Sequence, residues 1–431
     1  MEIKRLFEKS ELLLKRAQKT IPLGSQTFSK SITQYPLGVS PYFIEKGQGS
    51  HVWDVDGNEY IDYVNSLAAV TLGYNDPDVT KAVKRQLEDG VIFSLPHPLE
   101  MQVAEKIVSL VPCAEMVRFG KNGSDATAGA IRLARAYTHR DRIAACGYHG
   151  WQDWYIGATA RNRGVPQAIC ELTHLFSYNN LESLHSLFRK YPGEIAAVIL
   201  EPMNVEEPRD GFLEKVKELA HQNGAVLIFD ETITGFRYAK GGAQEFFGVT
   251  PDLATFGKGL ANGYPVSAIA GKAEIMHLME EIFFSFTFGG ETLSLAAALA
   301  TLEKLEREPV IENLSIKGEK IRSGVKQLIN RLSLEETLGI SGHPSWTFLI
   351  FKNTPSYEQS MIKTFYLQEM FANGILILGS HNISYAHTEA DLLQLLGVYE
   401  NFFSLLKNVL AERTLEKHLR CEPLKPLFKV R

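Results

Sequence analysis

The fold is decided by residues 196–231, which read AAVILEPMNVEEPRDGFLEKVKELAHQNGAVLIFDE. Two apolar runs, AAVIL and AVLIF, flank a segment with helical periodicity over residues 212–222. An apolar run without alternation is typical of a strand whose two faces are both covered, as in a parallel sheet. The order of strand, helix and strand therefore predicts a βαβ unit with helices on the faces of the sheet.

The same alternation extends in both directions along the chain. Further strands are predicted at EMVRFG (115–120), RIAACGY (142–148), LATFGK (253–258) and SAIAG (267–271), with a helix over 125–138. We expect an α/β fold in which residues 76–310 form a large domain around a mostly parallel sheet. A smaller α+β domain is predicted at 311–431, from helices over 311–332 and 389–411 and the strands WTFLIF and ILIL.

Residues 1–75 are predicted to form a separate N-terminal segment. Leu6, Leu13, Leu14 and Ala17 have the spacing of an amphipathic helix that ends at the break beginning with Pro22. HVWDV and EYIDYV flank an Asp-Gly turn, which predicts a β-hairpin over 51–64.

Composition excludes several classes of function. The 431 residues include 45 Lys and Arg against 50 Asp and Glu, a net charge of −5, which does not favour nucleic-acid binding. No apolar run approaches the ~18 residues that span a bilayer, so we expect no membrane association. The four cysteines are scattered, which favours neither a zinc site nor a disulfide framework and fits a cytoplasmic protein.

The turn after EMVRFG opens directly into an Ala-rich helix. Gly123 and Ser124 lie at the start of this helix, where amide donors and the helix dipole favour an anion such as phosphate. Taken alone, Gly-Ser-Asp is more often a plain helix cap.

Tyr148 and His149 follow the next predicted strand, so an aromatic ring and an imidazole would lie at the same edge of the sheet. Tyr148 could stack on a flat cofactor, although a buried Tyr with a satisfied hydroxyl is the simpler interpretation. His149 and Asp153 have i, i+4 spacing, but no third ligand is evident and we expect no metal site.

Two charged residues complete this edge. Asp230 ends the strand AVLIF, where a carboxylate needs a cationic partner or costs several kcal/mol of desolvation. Lys258 lies between two glycines just after another strand, where a partly buried amine could form a Schiff base; a solvated turn lysine is the alternative.

Together these features match the needs of pyridoxal 5'-phosphate (PLP). This cofactor needs a lysine for its aldehyde, an acid for its ring nitrogen, an aromatic ring against its face and an anion cradle for its phosphate. The sequence therefore predicts PLP as the cofactor.

A family resemblance rests on these same segments. VRFGKNGSDATAGAIRLARAYT, GYHGW, LIFDETITGFR, PDLATFGKGLANGYPVSAIAG and FTFGGETLSLAAALA resemble the class III aminotransferases of fold type I, most of all the glutamate-1-semialdehyde 2,1-aminomutase subgroup. The resemblance implies a homodimer with a shared active site.

The resemblance also implies roles for single residues. Lys258 resembles the Schiff-base lysine, Asp230 the partner of the ring nitrogen, and Tyr148, beside His149, the stacking aromatic. Thr232 takes the position on the other ring face, and Gly123 and Ser124 match the phosphate turn. Thr287 resembles the threonine that reaches the partner subunit's phosphate. Thr27, Lys30 and Glu201 are implied on the substrate side.

Departures from the family bear on the substrate. No Arg occurs between residues 353 and 412, where many amino-acid transaminases carry one for an α-carboxylate. Lys30 lies approximately where the aminomutase has Arg, and a lysine offers charge without the bidentate fork. The aminomutase's long gating loop is shortened here to GATARNRGVP, residues 157–166.

These departures favour an intermolecular aminotransferase whose aldehyde or ketone acceptor carries an anionic or sugar-like group, with a separate amine donor. A true glutamate-1-semialdehyde 2,1-aminomutase, forming 5-aminolevulinate, is the alternative. Racemisation or decarboxylation on the same cofactor, and a non-enzymatic homologue, stay open; retention of Lys258, Asp230, Tyr148 and Thr287 argues against the last.

Overall fold

The structure is a computed structural model and describes residues 5–425. Its fourteen described strands are β1 Ile44–Gln48, β2 His51–Asp54, β3 Glu59–Asp62, β4 Met116–Gly120, β5 Arg142–Cys146, β6 Thr173–Leu175, β7 Ile195–Leu200, β8 Val226–Asp230, β9 Leu253–Phe256, β10 Ser267–Gly271, β11 Leu338–His343, β12 Trp346–Phe351, β13 Ile375–Leu376 and β14 Ser380–Asn382.

The helices of the described residues are α1 Glu8–Ala17, α2 Asn65–Ala68, α3 Pro77–Asp89, α4 Pro98–Leu110, α5 Gly123–Thr138, α6 Asp153–Ile156, α7 Gln167–Cys170, α8 Leu181–Lys190, α9 Phe212–Gln222, α10 Ala243–Phe247, α11 Ala273–Met276, α12 Thr292–Arg307, α13 Val310–Leu332, α14 Gln359–Ala372, α15 Glu389–Glu412 and α16 Leu415–His418. Short 3₁₀ turns lie at Pro22–Gly24, Phe28–Lys30, Lys258–Ala261 and His277–Glu280.

The described chain divides into two compact units. Pro77–Ile311 form one unit, and the described residues up to Asp76 and from Glu312 onward form the other. In the structure the N-terminal segment therefore clusters with the C-terminal residues. The three-part division at 75 and 310 stays a prediction of the sequence.

The unit Pro77–Ile311 is built on a seven-stranded sheet of order β4-β10-β9-β8-β7-β5-β6. The pairs β9/β8, β8/β7, β7/β5 and β5/β6 are parallel, which confirms the mostly parallel sheet. SAIAG, by contrast, forms β10, which runs antiparallel to both of its neighbours. The link from β9 to β10 is a short loop without a crossover helix, and a parallel return needs a dozen or more residues.

Both faces of this sheet are covered by helices. All six residues of β7 are buried. Ala197 and Ile199 belong to a core cluster on one face that includes Ile131 of α5, whereas Val198 belongs to a second cluster that includes Leu213 of α9. Burying an aliphatic side chain of this kind stabilises the fold by about 1.5–3 kcal/mol. Because both faces of β7 are buried, apolar residues are favoured at every position, and the run shows no alternation.

The carboxyl ends of the parallel strands carry the predicted site. Asp230 is the last residue of β8, and Glu201 follows β7 directly. Tyr148 and Lys258 each lie two residues after a strand, β5 and β9. Because parallel strands end at the same edge of a sheet, these side chains share that edge.

The other unit contains two small sheets. β2 and β3 pair antiparallel, so the hairpin predicted over 51–64 is confirmed, and helix α1 confirms the predicted N-terminal helix. WTFLIF forms β12 in an antiparallel sheet of order β11-β12-β14. ILIL supplies the predicted strand as β13, which pairs parallel with β3 of the N-terminal segment.

Among residues 5–425, no helix is both long enough and apolar enough to cross a membrane.

Candidate functional site

Asp230 is the buried anchor of the site. Its Oδ1 accepts hydrogen bonds from the Thr232 amide at 3.1 Å, the Thr232 hydroxyl at 2.6 Å and the Thr255 hydroxyl at 3.2 Å. Its Oδ2 lies 2.8 Å from His149 Nδ1. Burial raises the pKa of Asp230, but the hydrogen bond and charge of His149, with the two bonds from Thr232, outweigh it and bring the pKa below its ordinary value.

His149 is buried and both of its ring nitrogens face oxygen atoms. Nε2 lies 3.1 Å from the Cys146 carbonyl, which can only accept a hydrogen bond, so Nε2 is the donor. Nδ1 faces the carboxylate of Asp230, so the ring is held between a carbonyl and a carboxylate. In the described chain no cluster of His, Cys, Asp or Glu could hold a metal ion.

The phosphate turn lies at the start of α5. The helix is capped by Asn122, whose side chain accepts from the Asp125 amide at 3.1 Å, and by Asp125, whose Oδ2 accepts from the Asn122 amide at 3.0 Å. The cap is therefore made by the residues on either side of Gly123 and Ser124. The amides of these two residues have no acceptor within the helix, which leaves them suited to an anion.

Ser124 also contacts the turn that follows β5. Its Oγ accepts a hydrogen bond from the Trp151 amide at 3.2 Å. A Cβ added to Gly150 would lie 2.2 Å from this Oγ, and Gly150 has φ +100°. Glycine at 150 is therefore required for the two turns to approach each other.

Tyr148 presents its ring at the same edge. The side chain is 39% exposed and contacts Tyr155 edge to face at 5.7 Å, so the alternative of a fully buried tyrosine does not hold. Its amide donates to Glu201 Oε2 at 3.1 Å, and the same oxygen accepts from Asn204 Nδ2 at 2.9 Å. Glu201 thus fixes the backbone that carries the aromatic ring.

Lys258 occupies an unusual backbone conformation. Its φ is +45°, in the left-handed region that costs a non-glycine residue roughly 1–2 kcal/mol. It is half-buried and opens the 3₁₀ turn after β9, the strand in which Thr255 pairs with Asp230 of β8. Strain of this kind, found at a strand end beside a buried carboxylate, is typical of a functional residue.

Thr232 connects these parts. A Cβ at Gly123 would lie 3.0 Å from Thr232 Cγ2, and one at Gly257 would lie 3.4 Å from the same methyl. Thr232 therefore contacts Asp230 through its hydroxyl and approaches both the phosphate turn and the lysine turn through its methyl. The structure brings together Asp230, His149, Thr232, Gly123 and the turn at Gly257 that precedes Lys258.

Three further residues were predicted for the site. Thr287 is exposed in the segment before α12. Thr27, in the other unit, accepts the Ser29 amide at 3.3 Å, and Lys30 Nζ donates to Ser66 Oγ at 3.3 Å.

Two residues of the site were missed by the sequence analysis. Thr255, a buried hydroxyl inside the apolar strand LATF, donates to Asp230, and its polarity within the strand was a usable signal. Gly150 allows the close approach of two turns, which depends on backbone geometry that the sequence pattern does not show.

The residues present fit PLP. Asp230 Oδ2 accepts one hydrogen bond from His149 and has a further lone pair for a ring N–H. Two helix-start amides suit a phosphate, and an exposed tyrosine ring is available for stacking.

Comparisons with known proteins agree with this geometry. A family model described as aminotransferase class-III matches residues 34–384. The chain is 35% identical over 402 residues to the 3-aminobutyryl-CoA aminotransferase of Cloacimonas acidaminovorans, covering 91% of this chain and 96% of that protein. It is 36% identical over 427 residues to the glutamate-1-semialdehyde 2,1-aminomutase of Acetivibrio thermocellus, covering 92% and 98%.

A solved structure shares the fold over nearly the whole chain. The FumI protein of Sphingopyxis sp. MTA144, solved in its PLP internal aldimine form, superposes with a TM-score of 0.87 and 28% sequence identity. The match covers 96% of this chain and 99% of that one.

Proposed function

This chain belongs to the class III aminotransferases, and from that membership we propose that it transfers an amino group to an aldehyde or ketone through PLP bound covalently at Lys258. The observation that carries the proposal is Asp230. It is a buried carboxylate with a lowered pKa, paired with His149 and placed one strand away from the strained Lys258 turn.

The residues have distinct roles in this proposal. When bound, the cofactor supplies an aldehyde for amine exchange and a ring that accepts the electron pair of the substrate carbon. Asp230 would accept the N–H of the cofactor's ring nitrogen and favour its protonated form. Tyr148 and Thr232 would hold the ring between them, and the amides of Gly123 and Ser124 would bind the phosphate. Lys258 Nζ would provide the amine for the covalent link and a base for the proton of the substrate carbon.

We also propose a homodimer with a shared active site. Two adjoining segments of the unit Pro77–Ile311 expose large apolar side chains, and Thr287 lies in the second segment. The exposed side chains are Ile92, Phe93 and Leu95 in the first segment and Phe283, Phe286 and Phe288 in the second. A hydrogen bond from the Thr292 amide to the Val91 carbonyl, 2.9 Å long, shows that the two segments adjoin. An apolar surface of this kind suits a subunit interface that delivers Thr287 to the partner's phosphate.

A cytoplasmic setting is part of the same proposal. All four cysteines are free, and Cys113 and Cys146 are buried. Burial raises the pKa of each of these two thiols to about 12, which keeps them unreactive.

The preferred acceptor is a carbonyl compound that carries an anionic or sugar-like group. Support comes from Lys30, whose exposed amine lies beside Ser66, and from the absence of Arg between residues 353 and 412. The relative that acts on 3-aminobutyryl-CoA suggests one member of this class, a 3-oxoacyl thioester on a phosphate-bearing carrier.

Glutamate-1-semialdehyde 2,1-aminomutase activity is the second candidate function. It is favoured by the 36% identity to the Acetivibrio thermocellus enzyme over 92% of this chain. The short segment 157–166 argues against it, since the resemblance assigns the longer loop the task of retaining the intermediate.

A single-turnover assay tests the proposal and separates the two candidates. The enzyme is loaded with pyridoxamine phosphate, freed of amines, and mixed with 3-oxobutyryl-CoA, a keto sugar or glutamate-1-semialdehyde while its visible spectrum is followed. We expect an anionic or sugar-like carbonyl to restore the lysine-linked spectrum once, with further turnover requiring an added amino acid. Donor-free conversion of glutamate-1-semialdehyde to 5-aminolevulinate would instead establish the aminomutase, and no reaction with any carbonyl would contradict both.

A further inference from the structure

We propose that the unit containing the N- and C-terminal segments binds a small organic anion, a carboxylate or phosphate on an apolar body, in a cavity beside Lys363. The residues that line this cavity all belong to that unit, and the inference does not depend on the proposed function. Its volume is about 370 Å³, at the lower end of the range for small-molecule sites.

The cavity has an apolar wall. Leu349 and Phe351 of β12 are both buried and line it together with Ile350 and Leu424. An apolar surface at the bottom of a cavity favours a ligand with a hydrocarbon or aromatic body, because burying that body removes its surface from water.

The lining of the cavity also carries positive charge. Lys363 and Lys425 line the cavity, and no Asp or Glu of the described chain does. The nearest acidic group along the chain, Glu358, contacts the Ser360 hydroxyl at 3.5 Å and is itself exposed. A ligand here meets two cations and no described anion, so electrostatics favour an anionic group.

Lys363 is the cavity residue whose charge would gain most from an anionic ligand. Its side chain is half-buried, and its amine makes no hydrogen bond or ion pair with any residue from 5 to 425. Burial lowers the pKa of the Lys363 ammonium, which reflects the cost of removing a charge from water. Pairing with a carboxylate or phosphate would offset that cost.

The first turn of helix α14 also lines the cavity. Gln359 and Ser360 lie in its first turn and line the cavity, and Lys363 follows one turn later on the same face. The Gln359 amide donates to Asn353 Oδ1 at 2.9 Å, so the start of the helix is already capped and the charge at the cavity comes from the lysines. Thr33 and Gln34 complete the polar rim.

The test uses the full-length protein loaded with PLP, so that the phosphate turn at Gly123 is filled. Phenyl phosphate and benzoate serve as probes, and benzyl alcohol serves as a neutral analogue, with binding measured by titration calorimetry. Lys363→Met removes the charge with little change in volume. Lys407→Met, on the exposed face of α15, is the matched control.

We expect Lys363→Met to weaken the binding of at least one anionic probe by about tenfold or more, while Lys407→Met leaves it unchanged. Benzyl alcohol should bind weakly to all three proteins. The melting temperature of Lys363→Met should stay the same or rise, since an unpaired half-buried charge is removed. Anion affinities equal in the two variants, or benzyl alcohol binding as tightly as phenyl phosphate, would overturn the proposal.

Acetylation mapped by mass spectrometry provides a second, site-resolved measurement. Phenyl phosphate should protect Lys363 from acetic anhydride and leave Lys407 equally labelled with or without the probe. Lack of protection at Lys363 under saturating phenyl phosphate would also overturn the proposal.

Discussion

His149 Nδ1 lies 2.8 Å from Asp230 Oδ2, while its Nε2 lies 3.1 Å from the Cys146 carbonyl oxygen. The imidazole is therefore fixed from both sides, and its orientation sets that of the carboxylate. Together with the two hydrogen bonds from Thr232, this pair outweighs the desolvation of Asp230 and lowers its pKa, so the buried carboxylate stays ionised.

Replacing His149 by Phe should raise the pKa of Asp230 and weaken PLP binding by roughly 10- to 100-fold, because one charged hydrogen bond is lost. The dissociation constant of PLP, followed by protein fluorescence over a pH series, measures this. His185→Phe, in helix α8, controls for the general effect of replacing an imidazole by a phenyl ring. Unchanged affinity in His149→Phe would contradict a role for the pair.

Gly150→Ala should disrupt the approach of the two turns at Ser124. The new Cβ would meet Ser124 Oγ at 2.2 Å in a backbone with φ +100°. Gly164 is a matched control, since its φ is +92° and nothing lies within 4 Å of an added Cβ. Gly164→Ala should cost only the backbone strain of roughly 1–2 kcal/mol.

The difference between these two variants isolates the steric clash. We expect Gly150→Ala to lose a further 1–3 kcal/mol or so of unfolding free energy and most of its PLP affinity. Urea denaturation and cofactor titration provide the two readouts. Equal losses in both variants would show that the Ser124 contact is relaxed at little cost.

Lys121 and Glu291 should couple the phosphate turn to the start of α12. Their charged atoms lie 3.0 Å apart, and the side chains are only 21% and 13% exposed. Burial raises the pKa of Glu291, but hydrogen bonds from Ser294 and Lys121 outweigh it, so the pKa is lowered. A double-mutant cycle with Lys121→Met and Glu291→Gln should give a coupling of about 1–2 kcal/mol.

The exposed pair Arg209 and Glu206 is the control for this cycle. These side chains are 69% and 55% exposed, so the equivalent cycle should give less than about 0.5 kcal/mol. Urea denaturation at low and at high salt measures both couplings. A coupling at Lys121 no larger than that of the control pair would refute the prediction.

Asp252 should make folding sensitive to acid. Burial raises its pKa, but hydrogen bonds from Lys272, the Leu227 amide and His221 outweigh it, so the pKa of the folded protein is below its ordinary value. The stabilisation is therefore fully present above the unfolded pKa of about 3.9 and is lost as pH falls through the lower folded value.

Asp252→Asn should lower the unfolding free energy at pH 7 by about 1–3 kcal/mol and flatten its decline below about pH 4. The urea midpoint measured from pH 7 down to about pH 2 tests both effects, with the exposed Asp89→Asn as control. A variant whose acid profile matches the parent would contradict the assignment.

The sequence predicted the βαβ core because its signals are local. AAVIL and AVLIF became β7 and β8, and the helix expected over 212–222 is α9, Phe212–Gln222. Strand direction depends on the connection rather than on the strand's residues, so SAIAG gave no sign that β10 runs antiparallel. The pairing of β13 with β3 joins residues more than 300 positions apart, which periodicity does not report.

For the candidate site, the sequence indicated individual residues but not the contacts between them. Charged and aromatic residues after strands indicated Asp230, Tyr148 and Lys258, since strand ends meet at one edge. The hydrogen bond between His149 and Asp230 joins the turn after β5 to the end of β8, two strands that β7 separates in the sheet, and it had no sequence signature. The left-handed conformation of Lys258 likewise became visible only in the structure.

The most direct test of the central claim is to map the covalent link. The purified protein, saturated with PLP, is reduced with borohydride, digested and analysed by mass spectrometry, alongside Lys258→Ala treated identically. We predict that the reduced cofactor is found on the peptide containing Lys258 and is absent from the variant. A parent protein without modification at Lys258, or equal modification of the variant at another lysine, would contradict the account.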